Sequence, residues 1–347
     1  MTALRVLFRC DGNAEIGSGH LMRCFGLAQH IAEAGGTCAL LTAHPDAPAV
    51  AWWRAETLPI AALPAAPYQT EDAQATHEAA AGLTADWIVV DGYNFTDAFH
   101  HALARQHPPY LYFDDACRDV PADLVVNQNA GAERRCGAVY GERALLGCAY
   151  VMLRRELRQA AKPQAGAVPH VLISFGGYDP ENLALAAAQA LAATAARFSA
   201  TLVCAADAAS FAATQAWARR QSQAVDVVAP GDIAGAMARS DLALCAGGTT
   251  SLEFAALGVP SVIVVRADNQ RDGAAYLAQA GCAVLAGEGK DAAERAGRKA
   301  ATLLADPAAR RAMAAAGRRL VDGRGAERVM SAMARRAGQS LAGAAAR

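Results

Sequence analysis

The stretch VLFRCDGNAEIGSGHLMRCFGLAQHIAEAGGTCALL, residues 6–41, decides the fold class. Val6–Phe8 sits in a short apolar strand that ends at Asp11. A polar, Gly-rich loop runs from Gly12 to Gly19. From His20 to Ala34 the apolar residues Leu21, Phe25, Ala28 and Ile31 recur at helical spacing, and Gly35-Gly36 is a helix stop. Cys38–Leu41 reads as the next strand. Strand, loop, helix and strand in that order open a parallel α/β sheet.

The alternation continues outward. Trp87–Val90, Tyr110–Phe113 and Leu124–Val126 read as strands, with helical stretches near Glu71–Ala81 and Thr96–Gln106. Ala160 to Pro169, with small residues, two prolines and one charge, reads as a linker. The pattern then restarts with Val171–Ser174, a turn at Gly176-Gly177, and a helix over Asn182–Thr194. Further strands are expected at Thr201–Cys204, Val225–Val228, Leu242–Cys245 and Ser261–Val265. The expected fold is therefore α/β, with two doubly wound parallel-sheet (Rossmann-like) domains over residues 1–162 and 163–347. The crevice at the carboxyl ends of such strands is the default ligand site.

Composition agrees with a folded enzyme-sized chain. Of 347 residues, 54% are hydrophobic and 19% charged, which excludes a disordered chain. Charges interrupt every long apolar run, so no membrane span is expected, and the N-terminus lacks a signal-peptide pattern. A cytoplasmic location and a monomeric state are the default expectations. The formal net charge of −1 argues against a nucleic-acid partner. Lys290 to Arg347 nevertheless carries 13 Lys and Arg against 5 Asp and Glu, which reads as Arg-rich helices with solvated faces.

The nine cysteines are scattered, with no C-x-x-C pair, and several lie in apolar runs as buried free thiols do. Seven of the eight histidines precede residue 110, and none forms an H-x-x-x-H or H-E-x-x-H pattern. No metal and no cofactor is expected. If histidine does chemistry, the first half of the chain does it.

The loop after the first strand fails the known phosphate-loop patterns. Ser18 stands where a P-loop needs Lys, and Met22 stands where a dinucleotide loop needs its third Gly. The second strand ends at Leu41-Thr42 with no acid for a ribose. No G-x-S-x-G elbow occurs. What the loop offers is His20 at a helix start, behind two glycines that permit close backbone approach. The helix dipole disfavours imidazolium there, so a neutral ring can accept a proton. A histidine that merely caps or packs fits the spacing equally well. Asp11 could orient the ring or could satisfy loop N–H groups.

A second loop, Gly247-Gly248-Thr249-Thr250-Ser251-Leu252-Glu253, joins a strand to a helix. Two glycines, hydroxyls and a helix N-terminus make an anion site. Glu253 falls one turn into that helix, where it can reach a ribose diol or cap the N-terminus. Asn269 and Gln270 follow the next strand and either face sugar hydroxyls or form a polar helix entry.

Several motifs together resemble one family. They are Phe8-Arg9-Cys10-Asp11, Ile16-Gly17-Ser18-Gly19-His20-Leu21-Met22-Arg23-Cys24, Asp91-Gly92-Tyr93, Ser174-Phe175-Gly176-Gly177, Gly247 to Glu253, and Asn269-Gln270. In this order they resemble the UDP-2,4-diacetamido-2,4,6-trideoxy-β-L-altropyranose hydrolase of pseudaminic acid biosynthesis. The G-G-x-[ST]-x-x-E block is shared with the lipid-linked N-acetylglucosamine transferase of peptidoglycan synthesis. The resemblance implies a GT-B fold, with UDP held mostly by the second domain, and allows a C-terminal helix to cross back onto the first. It implies metal-independent, inverting hydrolysis of a UDP-diacetamido sugar at the anomeric carbon. His20 would carry catalysis. Gly17, Ser18, Gly19, Arg23, Tyr93, Asn269 and Gln270 would bind substrate. Gly176, Gly177, Gly247, Gly248, Thr249, Thr250 and Glu253 would bind UDP, with Gly247 to Thr250 on the diphosphate and Glu253 on the ribose.

Two other functions fit the same residues. A glycosyltransferase of this fold, using a UDP-N-acetylhexosamine-type donor, would use His20 to deprotonate an acceptor hydroxyl instead of water. A nucleotide-sugar sensor would bind UDP-sugar and leave it intact.

Overall fold

A computed structural model describes residues 3–13, 15–160, 168–176, 179–204, 207–229, 231, 233–289 and 291–345. The elements in chain order are β1 (Arg5–Cys10), α1 (Gly19–Glu33), β2 (Thr37–Thr42), α2 (Val50–Ala55), β3 (Ile60–Ala62), α3 (Thr70–Leu83), β4 (Trp87–Asp91), α4 (Asp97–Leu103), β5 (Tyr110–Phe113), β6 (Leu124–Asn127), α5 (Ala132–Tyr140), β7 (Ala144–Leu146) and the short α6 (Arg155–Arg158). There follow β8 (His170–Ser174), α7 (Leu183–Ala192), β9 (Ser199–Val203), α8 (Ala208–Ala218), β10 (Val225–Val228), α9 (Ala234–Arg239), β11 (Leu242–Ala246), α10 (Thr249–Leu257), β12 (Ser261–Val265), α11 (Arg271–Gln279), β13 (Ala283–Glu288), α12 (Ala292–Leu304), α13 (Pro307–Leu320) and α14 (Gly325–Ala345). Two compact units result: Met1–Arg155 with Gly323–Arg347, and Glu156–Asp322.

The first unit holds a seven-stranded sheet in the order β3-β2-β1-β4-β5-β6-β7, and the second a six-stranded sheet in the order β10-β9-β8-β11-β12-β13. Every strand pair is parallel. Each sheet therefore runs outward from its first strand in one direction and then reverses, so β1/β4 and β8/β11 are the switch points. There the loops leaving adjacent strands diverge and open a crevice at the carboxyl ends. Strands covered on both faces read as apolar runs, as in Trp87–Val90 and Val262–Val265, where every residue is buried.

Core packing explains the membership of α14. Ala326, Val329, Met330 and Met333 are buried in the same cluster as Val6, Phe8, Leu21 and Phe25 of the first unit. Gly325 opens that helix because a Cβ there would lie 2.2 Å from the carbonyl oxygen of Val151. The basic tail is thus helical, and parts of its charge have local partners: Arg324 pairs with Glu327, and Arg328 donates to the Ala149 carbonyl. Among the described residues, no helix is long and apolar enough to cross a membrane. Residues 161–167 of the linker lie outside the described residues.

The scattered cysteines read as unpaired, but Cys117 and Cys136 form a disulfide. They are 19 positions apart in sequence, and only the packing of the loop after β5 against α5 makes them neighbours. The other seven are buried.

Candidate active site

The first group of functional side chains collects at the β1/β4 switch point. Cys10 at the end of β1 is in register with Asp91 at the end of β4. The loop after β1 turns through Gly17, whose N–H donates to the Asn13 carbonyl at 2.8 Å and whose φ is +81°. Gly17, Ser18 and Gly19 are exposed, and α1 then begins, placing His20 over Asp91. His20 Nδ1 lies 2.6 Å from Asp91 Oδ1. Arg23, one turn along α1 on the same face, donates to both oxygens of Asp91, at 2.5 and 2.7 Å. Its remaining nitrogen, Nη1, lies 3.0 Å from both oxygens of Asp115, in the loop after β5. The Arg23 guanidinium also lies 4.9 Å from the centre of the Phe113 ring.

Electrostatics assigns the protons in this group. Burial alone would push the Asp91 carboxyl up. Arg23, and then His20, outweigh it and hold the carboxyl below its ordinary value. Asp91 is therefore an acceptor only, and the Nδ1 nitrogen facing it must carry hydrogen. The nearby Arg23 Nη2, 3.3 Å from Nδ1, is a second donor and makes no hydrogen bond to it. This leaves Nε2 with its lone pair, and it has no hydrogen-bond partner among the described residues. A buried imidazole with one nitrogen oriented by a carboxylate and the other open is the geometry of a general base. Tyr93 stands edge-on to the ring with centroids 4.6 Å apart, is half exposed, and donates its hydroxyl to Asp115 Oδ2 at 2.9 Å. Partial burial and that carboxylate push its phenol up.

Asp11 does not orient His20. Its Oδ1 accepts from the Thr42 hydroxyl at 2.8 Å and from the Ala43 N–H at 2.7 Å, and its Oδ2 lies 2.8 Å from Arg9 Nη1. Arg9 is fully buried and forms a two-pronged bond with Asp72 at the start of α3, 2.8 Å on each prong. Asp11 thus belongs to a buried ionic group that ties together the ends of β1 and β2. Of the two roles open to Asp11 the structure shows the second, acceptance of a loop N–H from Ala43, because a strand-end acid near in sequence is not adjacent to the ring in space. The acid that reaches the ring comes from the neighbouring strand, 71 positions away.

Fold geometry also brings Cys10 Sγ, Cys24 Sγ and an Asp91 oxygen within 4.8 Å of one another. Burial pushes both thiols up, so they remain protonated, and Asp91 is already committed to Arg23 and His20. That donor set does not suit a cation, which requires thiolates.

The second group lies at the β8/β11 switch point of the other unit. Gly247 and Gly248 follow β11, and α10 starts at Thr249 with Gly248 at its N-cap and no side-chain cap hydrogen bond. Ser251 Oγ donates to the Gly248 carbonyl at 2.7 Å. Gln270 packs over the glycine pair: a Cβ on Gly247 would lie 3.2 Å from Gln270 Cβ, so a larger residue would displace it. Gln270 Oε1 accepts from the Arg266 N–H at 3.0 Å, and Arg266 Nη1 donates to the Phe175 carbonyl at 2.7 Å, just before Gly176. Gly176, Gly247, Gly248, Thr249, Thr250 and Gln270 therefore form one constellation. Asn269 is exposed, and Glu253 is half-buried one turn into α10. Gly177 lies outside the described residues.

Asp91, Asp115, Asn129 and Arg266 received no role from sequence reasoning. A signal existed for the first two, since both lie where strands β4 and β5 end. Asn129, which donates to Asp115 at 2.7 Å, and Arg266 carried none.

Residues 178–322 match the family model of the glycosyltransferase family 28 C-terminal domain. Over 117 residues the chain is 42% identical to UDP-N-acetylglucosamine--N-acetylmuramyl-(pentapeptide) pyrophosphoryl-undecaprenol N-acetylglucosamine transferase of Xanthomonas campestris pv. campestris, strain 8004, covering 32% of this chain and 27% of the relative. The corresponding protein of Xanthomonas axonopodis pv. citri is 40% identical over the same length. The chain thus spans about a quarter of the length of the curated relatives it matches. Among solved structures, MurG of Acinetobacter baumannii superposes with a TM-score of 0.70 at 18% identity, covering 95% of this chain and 99% of that one. The UDP-GlcNAc 2-epimerase of Neisseria meningitidis bound to UDP-GlcNAc gives 0.67 at 13% identity, covering 96% and 100%.

These matches overturn the expectation of hydrolysis and of a place in pseudaminic acid synthesis. Residues 178–322 match a glycosyltransferase domain, and the curated relatives are N-acetylglucosamine transferases. The block Gly247 to Glu253 lies within the matched residues and is the motif that the two resembling families share. The protein has the two-domain, Rossmann-like GT-B fold, and through its second unit it is similar to the glycosyltransferase family 28 C-terminal domain.

Proposed function

We propose that this protein is a glycosyltransferase that moves an N-acetylhexosamine-type sugar from a UDP donor to an acceptor hydroxyl. The observation that carries the reading is the match of residues 178–322 to the glycosyltransferase family 28 C-terminal domain, and the His20–Asp91 pair, with Nδ1 held at 2.6 Å and Nε2 open, supplies the base. An acceptor O–H gives its proton to Nε2, and Asp91 stabilises the imidazolium that forms. The acceptor oxygen bonds to the anomeric carbon as the bond from that carbon to the UDP oxygen breaks. The leaving diphosphate gains charge, which the uncapped N–H groups at the start of α10 can absorb. The similarity of residues 178–322 to transferases with UDP-N-acetylglucosamine in their name supports the donor class. UDP release from UDP-N-acetylhexosamines, measured with and without a panel of sugar and lipid-linked acceptors, tests the reading. Release should depend on an acceptor; equal release in its absence would sink the transfer reading.

In this reading Glu253 bonds the ribose diol. A hydrogen bond to a charged group contributes about 1.5–3 kcal/mol. Glu253→Ala should therefore weaken UDP binding by about 10- to 150-fold by calorimetry. An unchanged affinity in the folded variant removes Glu253 from the site.

A further inference from the structure

Asp115 accepts from three separate side chains beside the β1/β4 switch point. Arg23 Nη1 bridges both its oxygens at 3.0 Å, the Tyr93 hydroxyl reaches Oδ2 at 2.9 Å, and Asn129 Nδ2 reaches Oδ1 at 2.7 Å. These donors come from α1, from the loop after β4 and from the loop before α5. The loop that carries Asp115 is pinned from both sides. Asp114 accepts from the N–H groups of Ala116 and Arg118 and from the Tyr140 hydroxyl, and Cys117 is bonded to Cys136. A carboxylate fixed so firmly, with only 13% of its side chain exposed, is built to hold other groups.

The groups it holds are the ones that flank His20. Arg23 lies against the ring's Nδ1 side and Tyr93 against its face. The charged and titratable groups around the ring are Asp91 and Arg23 in contact, Tyr93 edge-on, Asp115 behind Arg23, and the thiols of Cys10 and Cys24 beyond Asp91. With His20 neutral, the set Asp91, Asp115 and Arg23 carries one net negative charge, and protonation of the ring brings the set to zero. Without Asp115, Arg23 would cancel Asp91, and the protonated ring would leave a buried excess positive charge, which is unfavourable.

We infer that Asp115 is a positioning residue of this site: it fixes Arg23 and Tyr93 on either side of His20 and supplies the second negative charge that makes the ring an effective proton acceptor. The inference rests on the reading of His20 as the base. Asp115→Asn keeps the shape and removes the charge. Asp115→Ser removes the same charge with a smaller side chain, and serves where the amide variant does not fold. His20 titration is followed by NMR on the full chain, without substrate, in wild type and variant. The midpoint should fall by about one pH unit when the charge is lost. Wherever transfer is measurable, the acid limb of kcat should move to lower pH with it, kcat on the plateau should drop about tenfold, and UDP affinity should hold. An unmoved His20 midpoint in a folded variant would overturn the inference. Because the titration needs no substrate, its result stands independently of the transfer reading.

Discussion

His20→Asn lowers kcat by about 10²- to 10⁴-fold and leaves UDP affinity nearly unchanged, the contribution typical of a positioned general base. Asparagine retains a polar group near Asp91 but offers no basic nitrogen at the Nε2 position. Under the proposed function UDP affinity should be preserved, because the glycine pair, the α10 N-terminus and Gln270 all belong to the other unit. Steady-state kinetics with an acceptor, paired with calorimetry of UDP binding, reads both quantities. Near-normal kcat would remove His20 from the chemistry, and a large loss of UDP affinity would place it in donor binding instead.

Asp91→Asn should be costly in two ways. Arg23 has about 5% of its surface exposed, so it loses one of two carboxylates that compensate its buried charge. Breaking a buried pair costs about 3–5 kcal/mol, with Asp115 keeping the cost toward the lower end. The amide can also donate to Nδ1, which places hydrogen on Nε2 and removes the base, so kcat should fall by a further factor of about 10²–10⁴. Chemical denaturation of the first unit and kinetics of the folded fraction separate the two effects. The sign of the pH dependence follows from the depressed carboxyl. Its stabilising contribution is present above the unfolded value of about 3.9 and is lost as pH falls through the lower folded value. The variant should therefore lack that acid-induced loss. A variant as stable as wild type, with the same acid unfolding, would show that Asp91 is not the anchor of Arg23.

The buried group of Arg9, Asp11 and Asp72 shows how a site loop and a scaffold share one chain segment. Arg9 is fully buried between Asp72, Asp11 and the rings of Tyr68 and Phe95, 5.7 and 5.1 Å from its guanidinium carbon. It fixes the end of β1, and the loop from Gly12 to Gly19 departs from that fixed end. His20 is thus held between a fixed strand end and a helix start, the rigid support that a proton-accepting side chain of the proposed kind requires.

Periodicity in residues 6–41 was enough to establish a parallel α/β sheet, because apolar spacing reports directly which face of an element is buried. The same local signals placed the strands at Tyr110–Phe113, Val225–Val228 and Ser261–Val265, and the helix start that carries His20. The edge strands Ile60–Ala62, Ala144–Leu146 and Ala283–Glu288 were not legible, since the first two are three residues long and all three contain exposed or half-buried positions. The partner of His20 was decided only in three dimensions. Asp11 lies nearer in sequence, but strand order sets Asp91 beside the ring, and a hydrogen bond depends on distance in space. The links from Arg23 to Asp115 and from Cys117 to Cys136, and the packing of Ala326, Val329, Met330 and Met333 in the first unit's core, likewise join segments that no local pattern relates. Hydrolysis and transfer differ in whether water or an acceptor hydroxyl meets Nε2. Either reaction would call on one base and one donor loop, so the motifs around His20 and Gly247 to Glu253 would serve both.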